Sequence, residues 1–129
     1  MRQFLEGYFR DVWINRDMDA ARNIYLHPNT YNVNFPDVPP GIEGIMRQVD
    51  AFLTGFPDAQ FELHDFIVEG NIVALRIVLT ATHLGVYRDI PATGKTVKLD
   101  DFVFIEMKDN KIWKFYPLFD MEAVLRDAQ

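Results

Sequence analysis

A strict alternation of side chains between residues 73 and 83 constrains the fold of this chain more than any other feature. Apolar side chains occupy every second position from Val73 to Ala81, and His83 takes the next place in that series. The positions between them are mixed or polar. A period of two indicates a β-strand with one buried and one wetter face. We therefore expect a long strand whose buried face ends in a histidine, followed by a loop that contains Pro91 and Gly94.

The N-terminal part of the chain has helical spacing instead. Apolar residues recur at intervals of three and four in three segments, which predicts three amphipathic helices before the first strand. The first helix carries Leu5 and Trp13 on its apolar face, the second is short with Asp17 as its N-cap, and the third starts near Ile42. Four prolines between positions 28 and 40 indicate an irregular or short-strand region before the third helix.

The second half of the chain has strand patterns separated by turn residues. Strand-like segments cover residues 60–68, 73–82, 96–107 and 111–118. A short helix is expected at 121–125. Helices followed by an antiparallel meander predict an α+β fold, so we expect residues 1–129 to form a single domain with helices on one face of a curved antiparallel or mixed sheet.

The predicted strand at 96–107 is apolar on both of its faces. Val103 and Ile105 alternate with Phe102 and Phe104, and the two pairs cannot point into the same core. The pair that faces outward needs a cover of its own. We therefore expect a homodimer that associates through the outer face of the sheet.

Composition narrows the partners and the chemistry. The chain has a net charge of −6 and no cluster of basic residues, which argues against nucleic acid as a partner. It has no cysteine, so disulfides and thiolate chemistry are excluded, and its three histidines lack metal-ligand spacing. No long apolar run indicates a membrane segment or a signal sequence, so we predict a cytoplasmic protein without membrane contact. The many aromatic residues suit either a cavity walled by rings or a large core.

Short motifs follow one another in a fixed order over most of the chain. They are Gly41-Ile42-Glu43-Gly44, Phe56-Pro57-Asp58, Glu69-Gly70-Asn71, Thr82-His83-Leu84-Gly85, Pro91-Ala92-Thr93-Gly94-Lys95, and Asn110-Lys111-Ile112 leading to Asp120. In this order and spacing they resemble the SnoaL-like polyketide cyclases of the NTF2-like superfamily. The resemblance implies a cone-shaped, cystatin-like α+β barrel, usually dimeric, with an enclosed ligand pocket that needs neither a metal nor a cofactor.

The resemblance also implies a reaction and a set of site residues. The polyketide cyclases perform an intramolecular aldol ring closure, in which the aspartate that matches Asp120 is the general acid/base. The matching His83 lines the pocket, and Asn34 stands where a histidine or asparagine is common. An aldol closure needs a base for the proton next to a carbonyl and donors for the enolate oxygen, and these three residues would supply both. Tyr116 replaces the usual tryptophan four residues before the aspartate.

Each of these residues also has a purely structural interpretation. Asp120 directly precedes the predicted helix at 121–125 and is well placed as its N-cap. His83 is equally suited to a hydrogen-bonded position at a strand end, and Asn34 to the support of a loop. Asp101 shares a face with Val103 and can enter the pocket, although the adjacent Asp100 leaves the register open.

The sequence therefore predicts an enzyme that performs cofactor-independent, aldol-type acid/base chemistry on a hydrophobic, carbonyl-bearing small molecule. Its candidate catalytic residues are Asp120 and His83. Its candidate substrate-binding residues are Asn34, Tyr116, Asp101 and Trp13.

Two alternatives stay open at this point: a non-catalytic protein of the same fold that binds a hydrophobic small molecule, and an isomerase or epoxide hydrolase of the same superfamily. An epoxide hydrolase would pair Arg76 with Asp101, but Arg76 falls on the strand face opposite His83. An isomerase would need a tyrosine at Phe9, and Tyr8 stands one residue away.

Overall fold

The computed structural model describes residues 1–118 and 120–127, and for residue 127 it describes the backbone alone. The helices are α1 (Arg2–Tyr8, continued by a π-helical segment, Phe9–Ile14), α2 (Met18–Ala20, continued by a second one, Ala21–Tyr25), α3 (Ile42–Gly55) and α4 (Met121–Asp127). The strands are β1 (Leu26–Asn32), β2 (Gln60–Glu69), β3 (Ile72–Thr82), β4 (Thr96–Lys108) and β5 (Lys111–Leu118). Within the described residues, no helix is long and apolar enough to cross a membrane.

The strands form one mixed sheet in the order β1-β5-β4-β3-β2. The meander from β2 to β5 is antiparallel, as the turn residues predict. Strand β1 adds to the far edge, parallel to β5, with Asn32 beside Phe115. The sequence indicated only an irregular or short-strand region here, because β1 buries polar side chains, among them Thr30, in place of an apolar stripe.

Strand β3 is the long, two-faced strand that the alternation predicts. Its residues alternate between buried and half-buried along the whole element, and Ile77 is fully shielded from solvent. The register with β4 places Ile77 opposite Asp101 and the half-buried Val78 opposite Asp100. Since paired residues on neighbouring strands share a face, Asp101 lies on the buried face of the sheet. The register therefore settles which of the two adjacent aspartates points inward.

The helices cover the concave face of the sheet and close the core. Leu5, Tyr8 and Val12 from the N-terminal helix are almost completely buried, and α3 adds Ile45 and Val49. The apolar residues of α3 recur on one side because their spacing follows the helical repeat. Among the described residues, no helix covers the opposite face of the sheet. There the rings of Phe102 and Phe104 are 50% and 57% exposed.

Helix α3 makes an unusually close contact with the loop that precedes it. A Cβ atom at Gly44 would collide with the carbonyl oxygen of Pro39, so the two backbones can approach only because this residue has no side chain. Gly41, which precedes the helix, has a φ of +96°, a conformation that also favours glycine. These two glycines fix the loop of residues 33–41 against the start of α3.

We expect Gly44→Ala to destabilise the protein, although alanine is the better helix former. The gain in helix propensity is about 1 kcal/mol, whereas forcing an atom into a closely packed contact costs roughly 1–3 kcal/mol. Because the colliding atom belongs to the backbone of Pro39, the second effect should dominate. Urea unfolding would measure the change. Asp50→Ala, at an exposed position of the same helix, should change the free energy of unfolding by about 0.5 kcal/mol or less. A stabilised Gly44→Ala variant would contradict the predicted contact.

Candidate functional site

A cavity of about 460 Å³ lies between the helices and the concave face of the sheet. Its size falls in the range of small-molecule sites, roughly 300–1,000 Å³. Most of its wall is apolar and aromatic. The rings come from Tyr8, Phe9, Trp13, Phe52, Phe61, Tyr87 and Phe115. The polar groups on this wall are few, and each therefore matters for what the cavity can bind or transform.

Asp101 places a carboxyl group on the cavity wall. Its side chain enters there because β4 pairs with β3 in the register described above, and the residue is only 9% exposed. Its Oδ1 atom has no hydrogen-bond partner within the described part of the chain. Burial disfavours the charged form and raises the pKa of the Asp101 carboxyl to about 7. The group can therefore both take up and release a proton near neutral pH.

Tyr8 is a further lining residue with a polar group, its phenol hydroxyl. Trp13, from the following π-helical segment, donates a hydrogen bond of 2.9 Å from Nε1 to the Tyr8 hydroxyl oxygen. Burial raises the pKa of Tyr8 far above its usual value, so the phenol stays protonated. Because the tryptophan occupies an acceptor site of the oxygen, the phenol proton is left to donate. The pair therefore offers a neutral hydrogen-bond donor inside the cavity.

Two amides connect β1 with α3 at another part of the wall. Asn32 is only 8% exposed and donates from Nδ2 to the Gln48 Oε1 atom at 3.2 Å. Both residues line the cavity. Sequence reasoning singled out Asn34 and missed Asn32, because the strand that carries Asn32 was not recognised. Thr30 and Asn32 are two residues apart and therefore fall on the same face of a strand. This spacing was the signal that could have identified Asn32.

The rim of the cavity carries charged side chains. Arg88 forms an ion pair of 2.8 Å with Asp37, and its guanidinium group lies 5.5 Å from the centre of the Phe35 ring. Arg47 of α3 also lines the cavity. The contacts of Arg88 connect the loop of residues 33–41 with the segment that follows β3.

His83 lies beside the cavity and is not among the described residues that line it. It is completely buried, and its ring stacks on Phe56 with the ring centres 5.2 Å apart. Its Nδ1 atom accepts a hydrogen bond of 3.2 Å from the backbone N–H of Thr93 and lies 3.0 Å from the Thr93 hydroxyl oxygen. These contacts attach the loop after Pro91 to the end of β3.

Asp120, Asn34 and Tyr116 are also absent from the described lining of the cavity. Asp120 is exposed, and its Oδ1 atom accepts a hydrogen bond of 3.0 Å from the Ala123 N–H, which makes it the N-cap of α4. Asn34 is exposed and donates to the carbonyl oxygen of Pro117.

Tyr116 donates a hydrogen bond of 2.9 Å to Glu106. Of the six candidate site residues, the structure thus brings Asp101 and Trp13 to the cavity. The roles assigned to the other four in substrate chemistry stay predictions.

Arg76 does not join Asp101, as its position on the opposite strand face predicts. Its guanidinium group forms ion pairs with Asp65 at 2.7 Å and with Asp100 at 3.0 Å. Among the described residues, no group of three or more histidine, aspartate or glutamate side chains is arranged to hold a metal ion.

A five-stranded mixed sheet with helices over one face and a cavity between them is the NTF2-like class of α+β fold, and the sheet is open, not closed into the barrel that the resemblance implies. The profile of the SnoaL-like polyketide cyclases matches residues 4–128, and the chain belongs to that family. No curated protein sequence matches it significantly.

Three solved structures illustrate the shared fold. TsrD from Streptomyces laurentii is 23% identical, with a TM-score of 0.84 and 97% of this chain and 91% of that chain covered. A SnoaL-like polyketide cyclase from Agrobacterium tumefaciens is 20% identical, with a TM-score of 0.80 and coverage of 99% and 97%. TerC, co-crystallised with polyporic acid, is 17% identical, with a TM-score of 0.70 and coverage of 97% and 95%. At these identities the likeness shows the fold alone.

The raised pKa of Asp101 predicts a pH-dependent cost in stability. Between the pKa of an unfolded aspartate, about 3.9, and the folded value of about 7, the folded protein holds a proton that the unfolded chain releases. Stability contributed by this group is therefore present at low pH and is lost as the pH rises through 7. Asp101→Asn removes the titration, so it should stabilise the protein relative to wild type above pH 7, by up to roughly 4 kcal/mol.

Urea unfolding of both proteins between about pH 4 and pH 9 would test this prediction. The difference should grow across the interval and then level off. Asp100→Asn is the matched control, because its exposed ion pair with Arg76 contributes about 1 kcal/mol or less. A difference between wild type and Asp101→Asn that is independent of pH would contradict the buried, unpaired carboxyl.

Proposed function

We propose that this protein is a cofactor-independent enzyme of the polyketide-cyclase type that acts on a hydrophobic, carbonyl-bearing small molecule held in the cavity. The observation that carries the proposal is the Asp101 carboxyl group, buried on an apolar wall with a pKa of about 7. A pKa near the working pH is what a general acid/base requires. The co-crystallisation of the similarly folded TerC with polyporic acid supports a small organic molecule as the ligand.

In this mechanism, Asp101 removes a proton from the carbon next to a substrate carbonyl. Its ionised form lacks a hydrogen bond to Oδ1, so it is poorly stabilised and therefore a stronger base than an aspartate in water. The enolate formed in this step attacks a second carbonyl carbon of the same molecule and closes a ring. The alkoxide produced by the attack then takes the proton back from Asp101. The cycle needs no group other than the substrate and the protein.

Tyr8 is the donor that stabilises negative charge on the enolate oxygen. Its phenol stays protonated, and the hydrogen bond from Trp13 fixes its orientation before the substrate arrives. A donor that is already oriented in a dry cavity lowers the energy of a developing oxyanion more than a mobile one in water. A substrate that fills the aromatic cavity displaces the water that would otherwise compete for the donor.

The proposal differs from the family resemblance in the identity of the base. The resemblance assigns the proton transfer to Asp120, with His83 as a second polar group. In the structure, Asp120 caps α4 on the outside and His83 holds the loop after β3. We assign the transfer to Asp101 because it is the buried carboxyl on the cavity wall. Asp120 is the alternative that the experiment must separate from it.

Exchange of hydrogen for deuterium next to a ketone carbonyl reports the first step without knowledge of the true substrate. We expect wild type to accelerate exchange at the activated methylene group of 2-tetralone in D₂O, followed by proton NMR. The rate should rise with pH and level off above about pH 7, as the base ionises. Asp101→Asn should lower the catalysed rate by roughly 100-fold or more, since general base catalysis contributes 10²–10⁴-fold.

Asp120→Asn is the matched control in this experiment, because it removes a carboxylate that caps α4 outside the cavity. It should leave both the exchange rate and the stability near those of wild type, because the asparagine Oδ1 atom still caps α4. The reverse pattern would transfer the base role to Asp120. A wild-type protein that binds 2-tetralone without accelerating exchange would instead support the non-catalytic binding protein.

We also propose that two copies associate through the outer face of the sheet, as the sequence predicts. The side chains of Phe102 and Phe104 lie exposed on neighbouring positions of this face, and Leu118, cross-strand to Phe102, is 72% exposed. Such a patch of large apolar groups is unusual for a surface that faces only water. The cytoplasmic location stays a prediction from the sequence.

Sedimentation equilibrium would test the dimer. Wild type should have twice the mass of one chain, and the double variant Phe102→Glu/Phe104→Glu should be monomeric, because burying two charges at an interface is strongly unfavourable. Ile24→Glu places the same charge at a 50% exposed isoleucine on a helical segment and should leave the mass unchanged. A monomeric wild type would refute the proposal.

A further inference from the structure

The charged side chains at the rim of the cavity include two arginines, of which Arg88 is paired with Asp37 and lies 3.9 Å from Glu122, although the whole chain carries a net charge of −6. Two arginines, Arg47 and Arg88, line the cavity, and Asp37 is the rim carboxylate. Asp37 is already held by Arg88 at 2.8 Å. Within residues 1–118 and 120–127, no ion pair joins Arg47 to an acidic group. Arg47, an exposed residue of the cavity lining, thus has no negative partner in the described part of the chain.

The next residue of the same helix supplies a second set of donors to the cavity lining. Gln48, the next residue of α3, accepts from Asn32 through its Oε1 atom, and this hydrogen bond orients its amide. The Nε2 atom of Gln48 then has its N–H groups left over, with no acceptor among the described residues. Consecutive residues of one helix therefore present unpaired donors to the same cavity. These two side chains carry donors without acceptors, which is the complement of an anion, whereas the unpaired acceptor nearby is the buried Oδ1 atom of Asn32.

We propose that Arg47 and Gln48 form a subsite for an acidic group, of the carboxylate type, on the molecule that occupies the cavity. The inference rests on the proposed function, because it takes the cavity as the ligand site. A guanidinium group matches the two oxygens of a carboxylate, and the Gln48 amide adds a neutral donor. The acidic group stays at the rim, where water reaches it, while the apolar body of the ligand enters the aromatic wall.

With the acidic group bound at the rim, the cavity selects ligands by their charge as well as by their size. A negative group would be costly next to the Asp101 carboxyl inside the cavity, since like charges in a dry site repel strongly. The rim offers it a cation and a hydrogen-bond donor instead. The ligand would therefore enter with its acidic end outward and its carbonyl group inward, which fixes its direction relative to Asp101 and Tyr8. Arg47 is a positioning residue in this arrangement and does not touch the reacting atoms.

A pair of fluorescent dyes isolates the contribution of the acidic group. 8-Anilinonaphthalene-1-sulfonate and N-phenyl-1-naphthylamine share one aromatic skeleton and differ in a single sulfonate group, which stands for the acidic group of the ligand. Wild type should bind both with enhanced fluorescence. Arg47→Gln should weaken binding of the sulfonate dye about three- to tenfold, the range for a partly exposed charge-assisted contact, and leave the neutral dye unchanged.

Three controls make the result specific to this position. Arg47→Lys keeps the charge and should retain most of the affinity for the sulfonate dye. Arg22→Gln removes an exposed arginine from a helical segment away from the cavity lining and should change the affinity for neither dye. Raising the salt from about 50 to about 500 mM should bring wild type close to Arg47→Gln for the sulfonate dye alone.

The outcomes separate this inference from the proposed function. If Arg47→Gln leaves the affinity for the sulfonate dye unchanged while the neutral dye still binds, the acidic subsite is refuted and the acid/base proposal stands. If wild type binds neither dye, the cavity is not a site for hydrophobic ligands and both proposals fail. Deuterium exchange that depends on Asp101 without any effect of Arg47 on the sulfonate dye would likewise refute the subsite alone.

Discussion

The pairing register between β3 and β4 is the constraint on which the candidate site depends. It sets Asp101 opposite Ile77, in the middle of a buried apolar stripe, and sends Asp100 to the outer face. A shift by one residue would exchange the two aspartates and place every aromatic ring of β4 on the other side. The register is held by many backbone hydrogen bonds and by the apolar residues that alternate along both strands. The fold can therefore keep a carboxyl group where its ionisation is unfavourable.

The two adjacent aspartates show how position alone sets their chemistry. Asp100 is exposed and forms an ion pair with Arg76, whereas Asp101 meets an aromatic wall and has no partner for Oδ1. Burial raises the pKa of Asp101 to about 7. The cost of burying it is offset by a large apolar core that extends from Leu5 in α1 to Leu125 in α4. A stable scaffold of this kind can tolerate one group that is tuned for function at the expense of stability.

The sequence predicted the elements that have a strong period and missed those that do not. The alternation from Val73 to Ala81 predicted β3, and the helical spacing after Ile42 predicted α3. Strand β1 escaped because its buried positions include Thr30 and Asn32, and a polar strand at a sheet edge has no hydrophobic signature. Because β1 was not predicted, Asn32 was not recognised as a cavity residue.

The prediction of the site had a different limit, because a sequence does not show which residues meet across the fold. A chain position shows which face of its own element a residue can occupy, but not what that face meets across the fold. The sequence predicted that Asp120 either caps a helix or acts in the pocket. It could not decide between these two interpretations, although the position of Asp120 as an N-cap could be predicted locally. Tyr8 became a candidate donor only once Trp13 was found 2.9 Å away, five residues later along a π-helical segment. Spacing in an ideal α-helix would not place these two polar atoms together.

The polar groups of the cavity form an ordered series from the inside to the rim, and this order gives the site a direction. Asp101 and Tyr8 offer an acid/base group and a neutral donor against apolar walls, while Arg47 and the pair of Arg88 with Asp37 stand where the cavity meets solvent. Electrostatic interactions are strongest where water is excluded, so proton transfer belongs inside and charge recognition at the rim. If Asp101 were at the rim, water would stabilise its charge and return its pKa toward that of a free aspartate. The deep position of the Asp101 carboxyl group in the cavity is therefore what would allow this chain to catalyse a reaction and not only to bind a ligand.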